Sequence, residues 1–196
     1  MNANTGMAYA VASPISAYTP YTGITYGTGF TVAESRGANV TWETNDGEFY
    51  GDNILLDSDN DVTGGNIEFE SAGLSMTVRE KLLGEVKVGS TDEYKVTGAP
   101  APNVGFGYVK WMSDNSSGSV VEYFEAIWLY KVKFGMPTDE AKTKERAKAW
   151  NGQTINGRIA GVFTESGQEH PDFMAHQKFT TLAAAKSYLN TKAGIS

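Results

Sequence analysis

The sequence predicts a mainly β protein, built as a single domain of 196 residues with a helix near its C-terminal end. Twenty-two glycines and ten tyrosines, together with many Thr and Val residues, favour strands and turns. Several segments alternate apolar and polar residues, which is the pattern of a sheet with one buried and one wet face. One late segment, from Thr180 or Thr181 to Lys192, instead has apolar residues at helical spacing.

Composition limits the classes of function. Sixteen basic residues against 23 acidic ones give a net charge of −7, which argues against stable binding to nucleic acid or to an anionic membrane. The absence of cysteine removes disulfide and thiolate chemistry and fits synthesis in a reducing cytoplasm. The first 20 residues lack the pattern of a secretory signal, and no apolar run approaches the length of a membrane helix. We therefore expect a protein made in the cytoplasm that does not enter a membrane.

Residues 1–29 are predicted to form an irregular arm, extended in places, because small and polar residues are interrupted by Pro14 and Pro20. Tyr18 and Tyr21 of this arm are candidates for contact with a partner, and a frayed terminus is the alternative. Short strands are then expected over 30–33, 38–44 and 48–53, separated by turns at 35–37 and 45–47. In the strand 38–44, Val40 and Trp42 are expected to face inward and Glu43 outward.

An acidic connection follows, with Asp57, Asp59 and Asp61 at every second position. The spacing resembles the start of a calcium-binding EF-hand loop, which requires a glycine at its sixth position and a glutamate at its twelfth. Val62 occupies the sixth position, and the twelfth falls inside a predicted strand. We therefore predict a long solvated loop over residues 57–65, without a metal ion.

The remaining elements complete a β core over residues 30–163. Ile67 and Phe69 are expected to face inward from a strand over 66–71, with Glu68 and Glu70 outward. A capped helix over 77–84 comes next. Further strands are predicted over 86–88, 94–96, 104–112, 119–134 and 154–163, with loops over 98–103 and 113–118. Residues 138–150 have the composition of a solvated helix and the position of a strand, and both interpretations stay open.

Residues 164–196 are predicted to be a C-terminal extension. Its helix has an apolar stripe, formed by Leu182, Ala185, Tyr188 and Leu189, and we expect that stripe to lie against the sheet.

Motifs for catalysis do not occur in the sequence. There is no phosphate-binding glycine loop, no G-x-S-x-G nucleophile elbow and no H-E-x-x-H zinc motif. Glu68 and Glu70 share a strand face, as the carboxylates of glycosidases sometimes do, but a solvated face is the simpler interpretation. We predict that the protein is not an enzyme and uses no cofactor.

In its order of elements the chain resembles the major tail protein family of long-tailed bacteriophages, the subunits of the tail tube. The similarity spans most of residues 28–163. It lies in Phe49-Tyr50-Gly51-Asp52-Asn53, in Gly64-Gly65-Asn66-Ile67-Glu68, in Leu82-Leu83-Gly84-Glu85, in Val104-Gly105-Phe106-Gly107-Tyr108, in the strand 123–134 and in Thr154-Ile155-Asn156-Gly157. Each motif is common strand-and-turn sequence, so the ordered set carries the resemblance.

The resemblance implies a tail-tube-type β-sandwich or incomplete barrel with a flanking short α-helix and a C-terminal helix. Such subunits form hexameric rings that stack into a hollow tube in the virion, with tape measure, tail terminator and baseplate or distal tail proteins as partners. Double-stranded DNA passes through the tube transiently. We assign subunit contact to Asp57, Asp59, Asp61, Val62, Gly64, Gly65, Tyr18 and Tyr21, and the lumen to Glu43, Glu68, Glu70 and Asn156.

Two alternatives stay open at this point. The first is a tube protein of a phage-tail-like injection device, of bacteriocin or type VI type, which has the same architecture. The second, from another class, is a β-sandwich binding or adhesin module, in which exposed aromatic residues would gather in one groove. Here the aromatic residues are spread through the predicted strands, which favours a tube subunit.

Overall fold

Strands dominate the fold. The computed structural model describes residues 2–32, 35–51, 54–115, 120–138 and 152–195, with the backbone alone at residue 2, at residues 46–51 and at residues 54–60. Within these ranges the elements are β1 (Asn2–Thr19), β2 (Gly23–Tyr26), β3 (Phe30–Thr31), β4 (Ser35–Gly51), β5 (Ile54–Ser71), α1 (Met76–Leu83), β6 (Val86–Lys87), β7 (Tyr94–Lys95), β8 (Asn103–Asp114), β9 (Val121–Phe134), β10 (Gln153–Ile159), β11 (Met174–Phe179) and α2 (Leu182–Ala193). The predicted mainly β fold with a C-terminal helix is confirmed.

Nine of these strands form one antiparallel sheet in the order β2-β1-β8-β9-β10-β5-β4, with β3 paired to β1 and β11 paired to β9. The sheet curls, so that β4 lies beside β1. Its concave side encloses a core to which β1, β4, β5, β8, β9 and β10 all contribute, and Leu82 and Leu83 of α1 fill the same core. The remaining hairpin, β6–β7, forms a separate two-stranded sheet.

The alternation that the sequence shows in β4, β5 and β10 matches the two faces of this sheet. Ile67, Phe69 and Ile155 are fully buried in the enclosed core, and Val40 and Trp42 pack against it. The polar residues between them lie on the opposite face. Period-two patterning therefore predicts these strands correctly, because one face is dry and the other is wet.

Strand β9 departs from simple alternation. Its register against β8 shifts between the pairs Val104–Val132 and Phe106–Leu129, which marks a β-bulge in β9. Because the extra residue reverses the alternation, Val132 joins Leu129 in the enclosed core. Strict alternation would put these two residues on opposite faces. Strand β9 contributes side chains to both core clusters, so it is covered on both faces.

Helix α2 covers the convex side of β1, β8 and β9, where Trp128 is completely buried. Gly105 and Gly107 of β8 make room for the indole ring. A Cβ atom at Gly107 would lie 2.7 Å from Cε3 of Trp128 and 2.9 Å from Cδ2 of Leu189. The indole N–H donates to the Tyr26 hydroxyl at 3.2 Å. The alternating glycines of β8 are therefore a packing requirement of this second core.

The N-terminal segment is not an arm. Residues 2–14 pair with β8, and residues 15–19 form a hairpin with β2, so β1 is an interior strand of the sheet. Ala10, Val11 and Ala12 are buried. Small residues fit in a strand that is covered on both faces. Because alanine and glycine have a low β-propensity, sequence analysis did not predict β1 as a strand. The prediction of an irregular arm over residues 1–29, and its alternative of a frayed terminus, are both wrong.

The predicted loop over 57–65 and the predicted turns at 35–37 and 45–47 are wrong as well. All three segments lie in strands, since β4 and β5 pair from Ser35–Ser71 to Gly51–Ile54. Polar residues and glycine are common in turns, but strand pairing can also accommodate them. The long connection is thus a second strand that returns alongside the first.

Both described helices were predicted, with a shifted start for the first. Ser75 caps α1 by accepting a hydrogen bond from the backbone N–H of Val78, and Gly84 ends the helix in a left-handed conformation. Thr181 caps α2, in which Ala185, Leu189 and Ala193 are buried against the sheet. Strand β11 was not predicted. Most of the ambiguous segment 138–150 lies outside the described residues.

Tyr108 makes the stability of the fold depend on pH. Burial, with a smaller contribution from the negative charge of Glu125, raises the pKa of Tyr108 from 10.0 to about 12. Because the folded state favours the neutral phenol, its stabilisation is fully present below pH 10 and is lost as the pH rises towards 12. We expect the titration of Tyr108 to contribute up to about 3 kcal/mol to the fall in the free energy of unfolding over this window.

Urea denaturation at a series of pH values measures this fall. The variant Tyr108→Phe should lose less stability over the same range. The pKa of Tyr26 is also raised, mainly by burial, so part of the alkaline loss should remain in the variant. An alkaline loss of equal size in the wild type and the variant would contradict the assignment to Tyr108.

Candidate functional site

The pairing of β4 with β5 continues beyond the part of β5 that pairs with β10. Strand β10 pairs with β5 only from Gly65 to Ser71, whereas β4 pairs with β5 as far as Ile54. We call the part beyond this shared region, residues 44–51 and 54–62, the ribbon. In the described part of the chain its two strands pair with each other alone.

A β-bulge marks the base of the ribbon. Glu43 pairs with Gly64 and Thr44 pairs with Val62, which leaves Thr63 as the extra residue. The hydroxyl of Thr63 donates to the backbone carbonyl of Glu43 at 3.3 Å. Since a bulge bends a strand and increases its twist, it directs the ribbon away from the sheet. Among the ribbon residues whose side chains the structure describes, 44–45 and 61–62, none belongs to either core cluster.

The ribbon is acidic. It contains Asp46, Glu48, Asp57, Asp59 and Asp61, and no Lys or Arg. An isolated two-stranded ribbon is marginally stable in water, and long unpaired strand edges invite pairing with another chain. A ribbon of this length and charge, with no third strand beside it in the described part of the chain, is therefore suited to contact with a partner.

The residues predicted for subunit contact fall in two places. Asp57, Asp59, Asp61 and Val62 lie in the ribbon, and Gly64 and Gly65 lie at its base in β5. Tyr18 and Tyr21 lie instead at the β1–β2 hairpin, where both contact Phe163 of the same chain. The Tyr18 hydroxyl accepts a hydrogen bond from the Phe163 N–H at 2.9 Å. Tyr21 stacks on the Phe163 ring with 49% of its surface exposed.

The residues predicted for the lumen do come together. The outer side of β4, β5 and β10, beyond the part of the sheet that α2 covers, is a wet surface that we call the polar face. It is formed by Asn39, Thr41, Glu43, Asn66, Glu68, Glu70, Thr154, Asn156 and Arg158. Asn156, Glu68 and Asn39 are direct neighbours across the three strands.

Glu43 of β4 is held by donors from β5 and from β10, the strand beyond it. Both guanidinium nitrogens of Arg158 donate to its carboxylate, at 2.6 and 2.5 Å. The side-chain amide of Asn66 donates to the same carboxylate at 2.9 Å. The ion pair is bidentate, which is the strongest geometry available to a carboxylate and an arginine.

Glu70 has an arginine partner as well. Nη1 of Arg36 lies 3.0 Å from its carboxylate, and both side chains are nearly half exposed. In the described part of the chain Glu68 forms no ion pair, and its cross-strand neighbours are Asn39 and Asn156. The three carboxylates of the polar face are therefore not equivalent, and the face is closer to neutral than the sequence suggests.

Sequence analysis missed Arg36 as part of this face. Alternation would put Arg36 on the same side as Ala38, which packs against the enclosed core. The register of β4 against β5 shifts between Ser35 and Gly37, so Arg36 occupies a bulge from which it pairs with Glu70. A bulge redirects a side chain without any sequence signal other than a nearby glycine. Gly37, interpreted as a turn residue, was that signal.

Two grooves border the polar face, with volumes of about 550 and about 480 Å³. The larger one lies beside Arg79 and Thr154, and the smaller one beside Lys133 and Arg158. The described lining of both grooves contains no carboxylate and no histidine. Their lining supplies amides, hydroxyls and cations, which can form hydrogen bonds with a ligand.

A scan against models of protein families found no match, and a search of curated proteins also found none. Neither of the two described helices is long and apolar enough to cross a membrane.

Proposed function

We propose that the protein is a tail tube subunit of a long-tailed bacteriophage, which assembles into stacked hexameric rings around a channel for DNA. The observation that carries the proposal is the ribbon. Residues 44–51 and 54–62 pair with each other beyond the part of the sheet that β10 completes, and they leave strand edges without a described partner. In a ring, those edges pair with a neighbouring copy, which removes the hazard of uncontrolled aggregation.

The ribbon also suits the symmetry of a tube. It lies at one end of the sheet, and in the proposed ring its contact with another copy joins two different surfaces. Such head-to-tail contacts close into a ring when the rotation permits, and they continue as a stack in the other direction. The resemblance to tail tube subunits supplies the number of six copies and the partners at the tube ends, which are tape measure, tail terminator and baseplate or distal tail proteins.

The polar face is the surface that we assign to the channel wall. It has no apolar residue among its nine side chains, whereas the convex side of β1, β8 and β9 is closed by α2. A wet, nearly neutral sheet face gives a DNA molecule few phosphate-binding cations, and phosphate contacts supply most non-specific affinity for DNA. The protein's location would then be the virion, after synthesis in the host cytoplasm.

Sedimentation velocity over a range of protein concentrations tests the assembly. We expect the monomer of 21.1 kDa at low concentration and species at multiples of six subunits at high concentration. A monomer at every concentration, together with a positive glycan screen, would instead favour the binding-module alternative. Tubes that need a baseplate to start would appear only after an initiator complex is added.

A further inference from the structure

We infer that Glu43 and Glu70 mask two arginines on the polar face, and thereby prevent Arg158 and Arg36 from binding the phosphates of DNA. The inference rests on the proposed function for its biological meaning, but its chemistry concerns only this face. It differs from simple repulsion, in which all three glutamates of the face contribute alike.

Both arginines are exposed enough for a ligand to reach them. The side chains of Arg158 and Arg36 are 60% and 47% exposed, so a phosphate can approach both. A guanidinium is a rigid fork that binds a phosphate through two parallel hydrogen bonds, in the same manner as a carboxylate. On this face Glu43 engages both terminal guanidinium nitrogens of Arg158, and Glu70 engages Nη1 of Arg36.

The partner of Arg158 is itself held in position. Asn66 donates to the Glu43 carboxylate, and Thr63 donates to the Glu43 backbone carbonyl. Exposed ion pairs contribute little to stability on average, typically about 0–1 kcal/mol, so stability alone gives little reason for such a clamp. Lys133 is the direct cross-strand neighbour of Arg158, so the loss of Glu43 would leave two adjacent cations. Adjacent cations on one strand face are the usual basis of a phosphate site.

Three single variants separate masking from repulsion. Glu43→Gln and Glu70→Gln each remove one negative charge and free an arginine. Glu68→Gln removes the same charge from the same face, but Glu68 has no arginine partner among the described residues, so it is the matched control. The assay is fluorescence anisotropy of a labelled 20-base-pair DNA at a series of salt concentrations, with dilute protein whose assembly state is checked by sedimentation.

We expect Glu43→Gln and Glu70→Gln to bind the DNA at least about threefold more tightly than the wild type. The slope of log affinity against log salt concentration should also become steeper, by about 0.9 for each additional phosphate that the protein binds. Glu68→Gln should change the affinity by less than about twofold, because it frees no cation. The double variant Glu43→Gln/Arg158→Gln should return to the affinity of the wild type. Unchanged melting temperatures would exclude partial unfolding as the cause of tighter binding.

If all three single variants bound DNA more tightly by the same factor, the explanation would be charge repulsion and not masking. If none of them bound DNA more tightly, the inference would be wrong. These outcomes are independent of the tube. If the wild type forms tubes but Glu43→Gln binds DNA no more tightly than the wild type, the proposed function stands and the masking is wrong. If Glu43→Gln binds DNA more tightly but the protein never assembles, the masking stands and the proposed function is wrong.

Discussion

Shortening the ribbon is expected to abolish tube formation and to leave the domain folded. The change replaces residues 47–59 with the two-residue turn Asn-Gly, which joins the paired positions Asp46 and Asn60. The deleted residues lie beyond the part of β5, Gly65 to Ser71, that pairs with β10. A two-stranded ribbon is marginally stable by itself, so we expect the free energy of unfolding to change by less than about 1 kcal/mol.

Two measurements check this prediction together. Thermal unfolding should give a melting temperature close to that of the wild type, and electron microscopy should find no rings or tubes. The hairpin β6–β7 provides a matched control, because Val88 and Glu93 flank a four-residue loop that the same Asn-Gly turn can replace. The control variant should assemble normally. If the variant with the shortened ribbon formed normal tubes, the assignment of the ribbon to the subunit interface would be wrong.

The second large effect is on stability. Replacing Trp128 with Ala should lower the free energy of unfolding by about 3–5 kcal/mol, the usual cost of removing a large buried aromatic side chain. Trp128 is completely buried, lies edge-on to the Tyr26 ring at 5.2 Å and donates a hydrogen bond to its hydroxyl. That hydroxyl donates in turn to the Tyr130 carbonyl at 2.8 Å, so the truncation also disturbs a buried network.

Trp111→Ala is the control for this variant. Trp111 lies on β8, stacks on Phe124 and is 37% exposed, so its loss should cost less than about 2 kcal/mol. Urea denaturation at neutral pH measures both variants. If Trp128→Ala were no less stable than Trp111→Ala, the assignment of the second core to Trp128 would be wrong.

Sequence patterns predicted those strands in which one face is dry. The alternation of Ile67, Phe69 and Glu68 in β5 gave the correct face for each, and the same reasoning brought all four residues assigned to the lumen onto one surface. The pattern is reliable there because a shift of one residue would bury the glutamates.

Prediction from sequence was wrong for strands that do not have one apolar and one polar face. Strand β1 is covered on both sides and uses small residues such as Ala10 and Ala12, so it resembles a coil. The ribbon is polar throughout residues 57–61, and it resembles a loop for the opposite reason. In both cases the strand is specified by its partner, β8 or β4, and not by its own alternation.

Bulges were the other source of error. The extra residue in β9 moves Val132 into the enclosed core, and the bulge at Arg36 brings its guanidinium to Glu70. A bulge is a property of two strands in register, so it is not visible in either strand alone. The ion pairs of the polar face could not be predicted for the same reason. They depend on which residues of β4, β5 and β10 lie opposite one another.

The most direct test of the central claim is electron microscopy of the purified full-length protein after concentration. A tail tube subunit predicts hollow tubes of stacked rings with sixfold symmetry, in which the ribbon of one copy contacts the next and the polar face lines the channel. Tubes whose channel is lined by α2, or solid fibres without a channel, would contradict the account. Single particles of 21.1 kDa that remain monomeric even with an initiator complex would contradict it as well.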